Sequence, residues 1–423
     1  MKILKFSTLF LAIAVLMVSC KKDPDALKVT AIEASGTSFQ NGSAVTSDLN
    51  GSTSATNVTL DATITVTFDK NVKTSSVSST TVKVSSTSGT VDAAVSASGN
   101  KITINPTNDF VRGTLYTLSL SGLQAEDDGG FTDLSRTFTT EGRAPVVVPF
   151  ADKMVAYWHF DGSTAEATNK YSTANEVKVS YTNDRFGQGS SALSFDGDET
   201  LVEVANASTL MATKDFTLSF WIKSDGSDVN AAGETRGQFV MGLAAWHGFQ
   251  FEIFGNYGGC KLATRYEIAD GKNNAEDLWW STNGNLGWMG WTFDQDVSAA
   301  GGLAGVIKDK WAHVVCTYNA TTKIGAMYIN GVLRKSQDFN LYGTGHPMLG
   351  TVGLTYSGNP APGDRLAFGF IQGSENRTVA DDWANPIGNP DNNHFKGLMD
   401  DVRIFHAAFS AADVTTLYNA EKP

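Results

Sequence analysis

The stretch FKGLMDDVRIF, residues 395–405, followed by SAADVTTLY, residues 410–418, decides the fold class. Its first part alternates. Leu398, Asp400, Val402 and Ile404 fall on one side, and Met399, Asp401, Arg403 and Phe405 on the other, which predicts a strand. Ser410 with Asp413 three residues on is a helix-start signature, and Val414, Leu417 and Tyr418 then recur at helical spacing. The expectation is an all-β chain that closes with one strand and a short capping helix.

The rest of the chain supports an exported β protein. Across 423 residues the formal net charge is −12. The basic residues are dispersed, which excludes nucleic acid as a partner, because phosphate binding needs clustered cations. Lys2 and Lys5 precede an apolar run over residues 6–18, then Ser19 and Cys20. That run is too short to span a bilayer and has signal-peptide flanks. MVSC, residues 17–20, resembles a bacterial lipobox. The resemblance implies a signal peptide over 1–20, a lipid on Cys20 and a tether over 21–27; an ordinary signal peptide with a chance cysteine is the alternative. KKDPD, residues 21–25, resembles the charged tether of Bacteroidetes surface lipoproteins, which implies outer-membrane anchoring with display toward the cell surface. For Cys260 and Cys316 the sequence leaves open a disulfide or two buried thiols.

Residues 28–141 read as a small β-sandwich. ITVTF (64–68), TVKV (81–84), KITI (101–104) and LYTLSL (115–120) alternate apolar with polar, with turn residues between them. Residues 40–59 are polar and read as a long loop. The pieces ITVTFDKNV from Ile64, YTLSLSG from Tyr116 and RTFTT from Arg136 resemble a bacterial Ig-like domain. No catalytic cluster falls in this region, so a spacer role is expected. A proline-bracketed linker follows over 142–150.

Residues 151–423 carry six further pieces in order: VAYWHFDG (155–162), FGQG with ALSFDG (186–197), FTLSFWIK (216–223), WAHVVCTY (311–318), YINGVL (328–333) and the terminal DDVRIF. Together they resemble a laminin G-like domain of the concanavalin A-like lectin/glucanase superfamily. The resemblance implies two antiparallel sheets packed face to face, a jelly roll. Two departures stand out. The chain is long between Lys223 and Trp311, and it carries Gly-, Pro- and Asn-rich loops around one strand between Phe339 and Lys396. Long loops on a β scaffold are where binding function tends to sit.

The first of these regions is rich in tryptophan. Trp246, Trp279, Trp280, Trp288 and Trp291, with Trp383 beyond, are the candidate carbohydrate-binding residues. Asn256, Asn273, Asn274, Asp277, Asn283, Asn285 and Asp294 are interleaved with them. A sugar presents an apolar C–H face and a rim of hydroxyls, which flat aromatics and amide or carboxylate groups match. Trp288 and Trp291 rank first, because Gly287 and the Met289-Gly290 turn suggest an exposed apex. Trp279 and Trp280 rank second, since adjacent side chains in an extended segment face opposite ways. The superfamily resemblance also implies a structural calcium held by Asp161 and Asp400, with Asp401 beside it. An acidic turn that caps its own backbone is the alternative.

No Glu-x-Asp-x-x-Glu strand, Gly-x-Ser-x-Gly or His-Glu-x-x-His motif appears, so no catalytic residue is assigned. His313 lies in the WAHVVCTY strand and is expected to be structural. The expectation is a lipid-anchored surface protein that captures polysaccharide or oligosaccharide, with a glycan-uptake outer-membrane complex as a further partner. A glycoside hydrolase or polysaccharide lyase on the same fold, or a protein-binding adhesin, are the alternatives.

Overall fold

The computed structural model describes residues 24–40, 42–230, 232–358, 363–373 and 393–423. The chain forms two compact units, the second beginning at Pro145. It is almost entirely β, with a short C-terminal helix.

In the first unit the alternation read from the sequence produces two five-stranded sheets among the described residues. Thr63–Phe68 lies between Val29–Thr37 and Lys101–Pro106, and it buries Ile64, Val66 and Phe68 on one face. Leu115–Leu120 pairs with Leu134–Thr140 and Val82–Ser86. The expected long loop over 40–59 instead holds two strands, Ala44–Asp48 and Ala55–Val58. Both lie at sheet edges, so they bury few side chains and leave no apolar period to read.

The second unit is a sandwich of a nine-stranded and an eight-stranded sheet among the described residues. Lys396–Phe405 sits inside the nine-stranded sheet, paired with Ala192–Asp196, Phe216–Ser224 and Met154–Trp158. Phe216–Ser224 in turn pairs with Trp311–Asn319, and Asn330 and Gly331, both at positive φ, close the hairpin between Ile324–Ile329 and Val332–Asp338. The two inner faces meet in one core that includes Phe220, Phe251, Leu262, Trp280 and Val402.

The long region between Lys223 and Trp311 is not an insertion. Gln238–Leu243, Phe249–Ile253, Cys260–Ile268 and Asn273–Trp280 are four successive antiparallel strands of the eight-stranded sheet. Both cysteines are free thiols buried in the core, Cys260 with its Sγ 3.7 Å from the Sδ of Met327.

The terminal strand departs from simple alternation at one point. Ser219 and Trp221 pair with Arg403 and Asp400, so the terminal strand carries one extra residue, and Asp401 takes φ 48°. This is a β-bulge. It leaves Met399, Val402 and Ile404 in the core and turns Asp400, Asp401 and Arg403 together onto the outer face. The C-terminal helix Ala411–Glu421 covers that face. Its start is the expected capping box: Ser410 N donates to Asp413 Oδ2 at 2.8 Å and Asp413 N to Ser410 Oγ at 3.3 Å. Val414 and Leu417 then pack on Val315, Phe405 and Phe409.

Candidate functional site

Beneath the helix the outer face of the nine-stranded sheet is a closed ionic network. Arg185 bonds Asp400 and, at 2.6 Å, Asp401; Arg403 bonds Asp401 at 3.2 Å and Glu421 at 2.5 Å. Trp221 Nε1 donates to Glu421 Oε2 at 2.9 Å, and Tyr157 donates to Asp401. Burial opposes the charge on Arg403, but Tyr157, Glu421, Asp401 and Asp400 around it outweigh that and hold the guanidinium charged. His313 lies in the same layer, its Nε2 2.8 Å from Ser219 Oγ and its ring stacked on Trp221. Burial first, then the charges of Arg403 and Arg185, push its pKa down to about 3. Its role is structural.

This network bears on the calcium expected at Asp161, Asp400 and Asp401. A divalent cation at Asp400 and Asp401 would sit beside two guanidinium groups, and their oxygens already accept from Arg185, Arg403 and Tyr157. Calcium needs six or more oxygens with negative charge to spare. The residues therefore do not fit the ion. Asp161 lies in the turn after Met154–Trp158, where Gly162 N donates to Phe160 O at 3.0 Å. Among the described residues no group of three or more His, Cys, Asp or Glu side chains is placed to hold a metal.

The eight-stranded sheet presents a different outer face. Along Phe249–Ile253, Phe249, Phe251 and Ile253 enter the core and turn Gln250 and Glu252 to the other face, where both are buried, at 1% and 8% exposed. Along Cys260–Ile268, Cys260, Leu262 and Tyr266 enter and turn Lys261, Ala263 and Arg265 to that face. Along Asn273–Trp280, Leu278 and Trp280 enter, and Asp277 and Trp279 stay out. Lys261 Nζ then bridges Glu252 and Asp277 across three strands, 2.9 Å from each.

Two tryptophans mark this face, one beside the ladder and one further along the strand. Trp279 is the cross-strand partner of Lys261, and its ring meets Phe254 and Trp291 edge-on at 5.6 Å. It depends on Gly259, at φ 151°, where an added Cβ would come within 2.9 Å of Trp279 Nε1 and 2.7 Å of Trp280 O. Further along, Trp246 covers Arg265, whose Cζ lies 4.5 Å from the ring centre. Trp246 is 37% exposed. Ala244 and Ala245, both at φ 51°, place it there; left-handed backbone at alanine costs about 1–2 kcal/mol per residue. The four residues from Lys261 to Arg265 set the two positions about 13 Å apart along the strand.

The expected tryptophans thus divide. Trp246 and Trp279 lie on the face of the polar ladder. Trp288 is 49% exposed on a loop apex with Leu286 and Met289. Trp280 is fully buried and donates to Gln295 O at 2.9 Å, so it is a core anchor with no face left for a sugar. Trp291, ranked first from the sequence, is only 9% exposed, with Lys335 Nζ 3.2 Å from its ring centre. Trp383 and Cys20 lie outside the described residues. Asp294 is also a structural residue: it accepts from Ser281 N, Gly284 N and Lys335 Nζ, each at 3.1 Å, and so ties down the base of the Trp288 loop. Gln250, Glu252, Lys261 and Arg265 were not singled out from the sequence. The period-2 runs FQFEI and CKLATRY were their signal.

The sequence profile of the bacterial Ig-like domain matches residues 44–140, and that of the concanavalin A-like lectin/glucanases superfamily matches residues 196–371. The chain carries one domain of each kind. The second match contains Trp246, Arg265 and Trp279. No curated protein matches the chain. Among solved structures it is similar to the receptor-binding domain of botulinum neurotoxin mosaic serotype C/D, at 16% identity and TM-score 0.40, covering 64% of this chain and 51% of that one. It is also similar to the serotype D ligand-binding domain in complex with N-acetylneuraminic acid, at 15% identity and TM-score 0.39, covering 64% and 51%. The chain thus spans about half the length of these structures.

Proposed function

We propose that this protein is a lipid-anchored surface protein that captures polysaccharide on the outer face of the eight-stranded sheet and does not cleave it. The observation that carries the reading is a pair of tryptophans on one sheet face, Trp279 beside Lys261 of the Glu252–Lys261–Asp277 ladder and Trp246 over Arg265 four residues further along the strand. The rings match sugar C–H faces, and beside Trp279 the ladder offers its more exposed member, Asp277, to hydroxyls. Trp288 is exposed three residues before Trp291, whose ring touches Trp279. The absence of cleavage fits the same geometry. Both carboxylates of the ladder accept from one ammonium, so neither is left to protonate a leaving group without breaking that bond.

Among the described residues no helix is long and apolar enough to cross a membrane. Attachment in this reading rests on a lipid at Cys20, with the Ig-like unit as spacer and a glycan-uptake complex in the outer membrane as the setting. Cys20→Ala should release the protein into soluble fractions.

The binding test is a panel of polysaccharides run by calorimetry with the wild type, Trp246→Ala and Trp279→Ala. The expected result is a loss of affinity of at least ten-fold in each variant, with the Trp246→Ala melting temperature unchanged. New reducing ends or unsaturated products on incubation would overturn the non-cleaving part. Retention of a protein partner with no glycan bound would favour an adhesin.

A further inference from the structure

Four basic side chains are buried among the described residues: Arg185, Arg265, Lys335 and Arg403. Arg185 has Asp401 at 2.6 Å, Lys335 has Asp294 at 3.1 Å and Arg403 has Glu421 at 2.5 Å. Arg265, 7% exposed, has no carboxylate partner among the described residues. Its Nε donates to Trp246 O at 3.2 Å and its Nη1 to Asn273 Oδ1 at 3.3 Å, both neutral acceptors at long range. Its Nη2 is buried and has no acceptor.

Buried charge is ordinarily paired, and each exception calls for a reason. The surroundings sharpen the point. Trp246 lies over one face of the guanidinium, and His247 stacks on Trp246 with ring centres 4.2 Å apart. Burial, and then the charge of Arg265, lower the pKa of His247. Burial lowers the pKa of Arg265, and no acid among the described residues opposes it. In a chain of net charge −12 that is a local inversion of sign.

We propose that Arg265 anchors an acidic group of the bound glycan, a carboxylate or a sulfate ester. The inference rests on the polysaccharide-binding reading above. Arginine suits the task because its planar fork donates in parallel to two oxygens of one anionic group. The other end of the face makes no such demand. There Lys261 is already matched by Glu252 and Asp277, so the site distinguishes an acidic end from a neutral one.

The test uses the full chain against paired polysaccharides that share a backbone: polygalacturonate with its methyl ester, and dextran sulfate with dextran. The wild type should bind the acidic member of one pair at least ten-fold more tightly, and which pair shows the preference separates carboxylate from sulfate. Arg265→Met and Arg265→Gln should lose the preference and keep the melting temperature, and Arg265→Lys should restore part of it. Equal affinity within both pairs, or a preference that survives Arg265→Met, overturns the inference and leaves the polysaccharide reading standing. Failure of the wild type to bind any of the four overturns both.

Discussion

Arg185 and Arg265 occupy matching settings on the two outer faces of one sandwich. Each is buried, and each lies over a tryptophan, 4.4 Å from the ring centre of Trp221 and 4.5 Å from that of Trp246. The difference is in what surrounds them. Arg185 meets Asp400 and Asp401 under a capped helix, in a network that also includes Arg403 and Glu421. Among the described residues Arg265 donates to amide and carbonyl oxygen and to no carboxylate. The first arginine is paired with carboxylates of the chain itself; the second, in the proposal above, is paired by the ligand. Burial and charge alone do not separate a structural residue from a binding one, but the inventory of partners does.

The same substitution made on both faces tests the contrast most strongly. Arg185→Met strands Asp400 and Asp401 beneath the helix and should cost about 3–5 kcal/mol in urea denaturation, as breaking a buried ion pair does. Arg265→Met removes an uncompensated charge and should stay within about 1 kcal/mol of wild type, since two neutral hydrogen bonds are lost while a desolvation penalty is relieved. Similar losses at both sites would erase the distinction.

Next comes pH. Burial holds the folded pKa of His313 at about 3, below the ordinary imidazole value of 6.5. Its neutral form is therefore compatible with the full stability above pH 6.5, and stability falls as pH drops from there toward 3, because the unfolded chain takes up the proton first. At pH 5 the loss from this residue should be about 2 kcal/mol. His313→Gln should flatten that part of the stability profile, and an unchanged slope would remove His313 from the account. A smaller effect is expected at the helix start, where Ser410→Ala should cost about 1 kcal/mol through loss of the cap. The smallest is none at all: excess chelator should leave the melting temperature unchanged, because Asp400 and Asp401 are satisfied by arginine. A clear drop would show an ion held elsewhere.

Much of this architecture was legible in the sequence. The terminal strand, the capping box at Ser410, the Asn330–Gly331 hairpin and the all-β class follow from local rules that each residue obeys by itself. The eight-stranded sheet was harder. Its four successive strands between Gln238 and Trp280 carry Gln250, Glu252, Lys261 and Arg265 among their apolar residues, and the concentration of tryptophan drew the reading toward a loop. Trp279 and Trp280 did split between faces as period-2 geometry requires. Trp291 was misplaced because exposure was inferred from neighbouring glycines, whereas Lys335 and Asp294, 41 residues apart, decide its burial. The bulge at Asp401 was equally invisible, since it is defined by register against Phe216–Ser224 and not by its own sequence.

The place of Lys396–Phe405 has a consequence for how this molecule is made. Late in the chain, it nevertheless fills the interior of its sheet, between Ala192–Asp196 and Phe216–Ser224. Synthesised from the N-terminus, the sandwich has a gap at its middle until Lys396–Phe405 emerges, and Ala192–Asp196 waits some two hundred residues for its neighbour. Contacts of such long sequence separation make folding slow, while unpaired strand edges remain open to other chains. The Ig-like unit has no such debt: its two sheets close among residues 27–140 and are complete while the sandwich is still being translated.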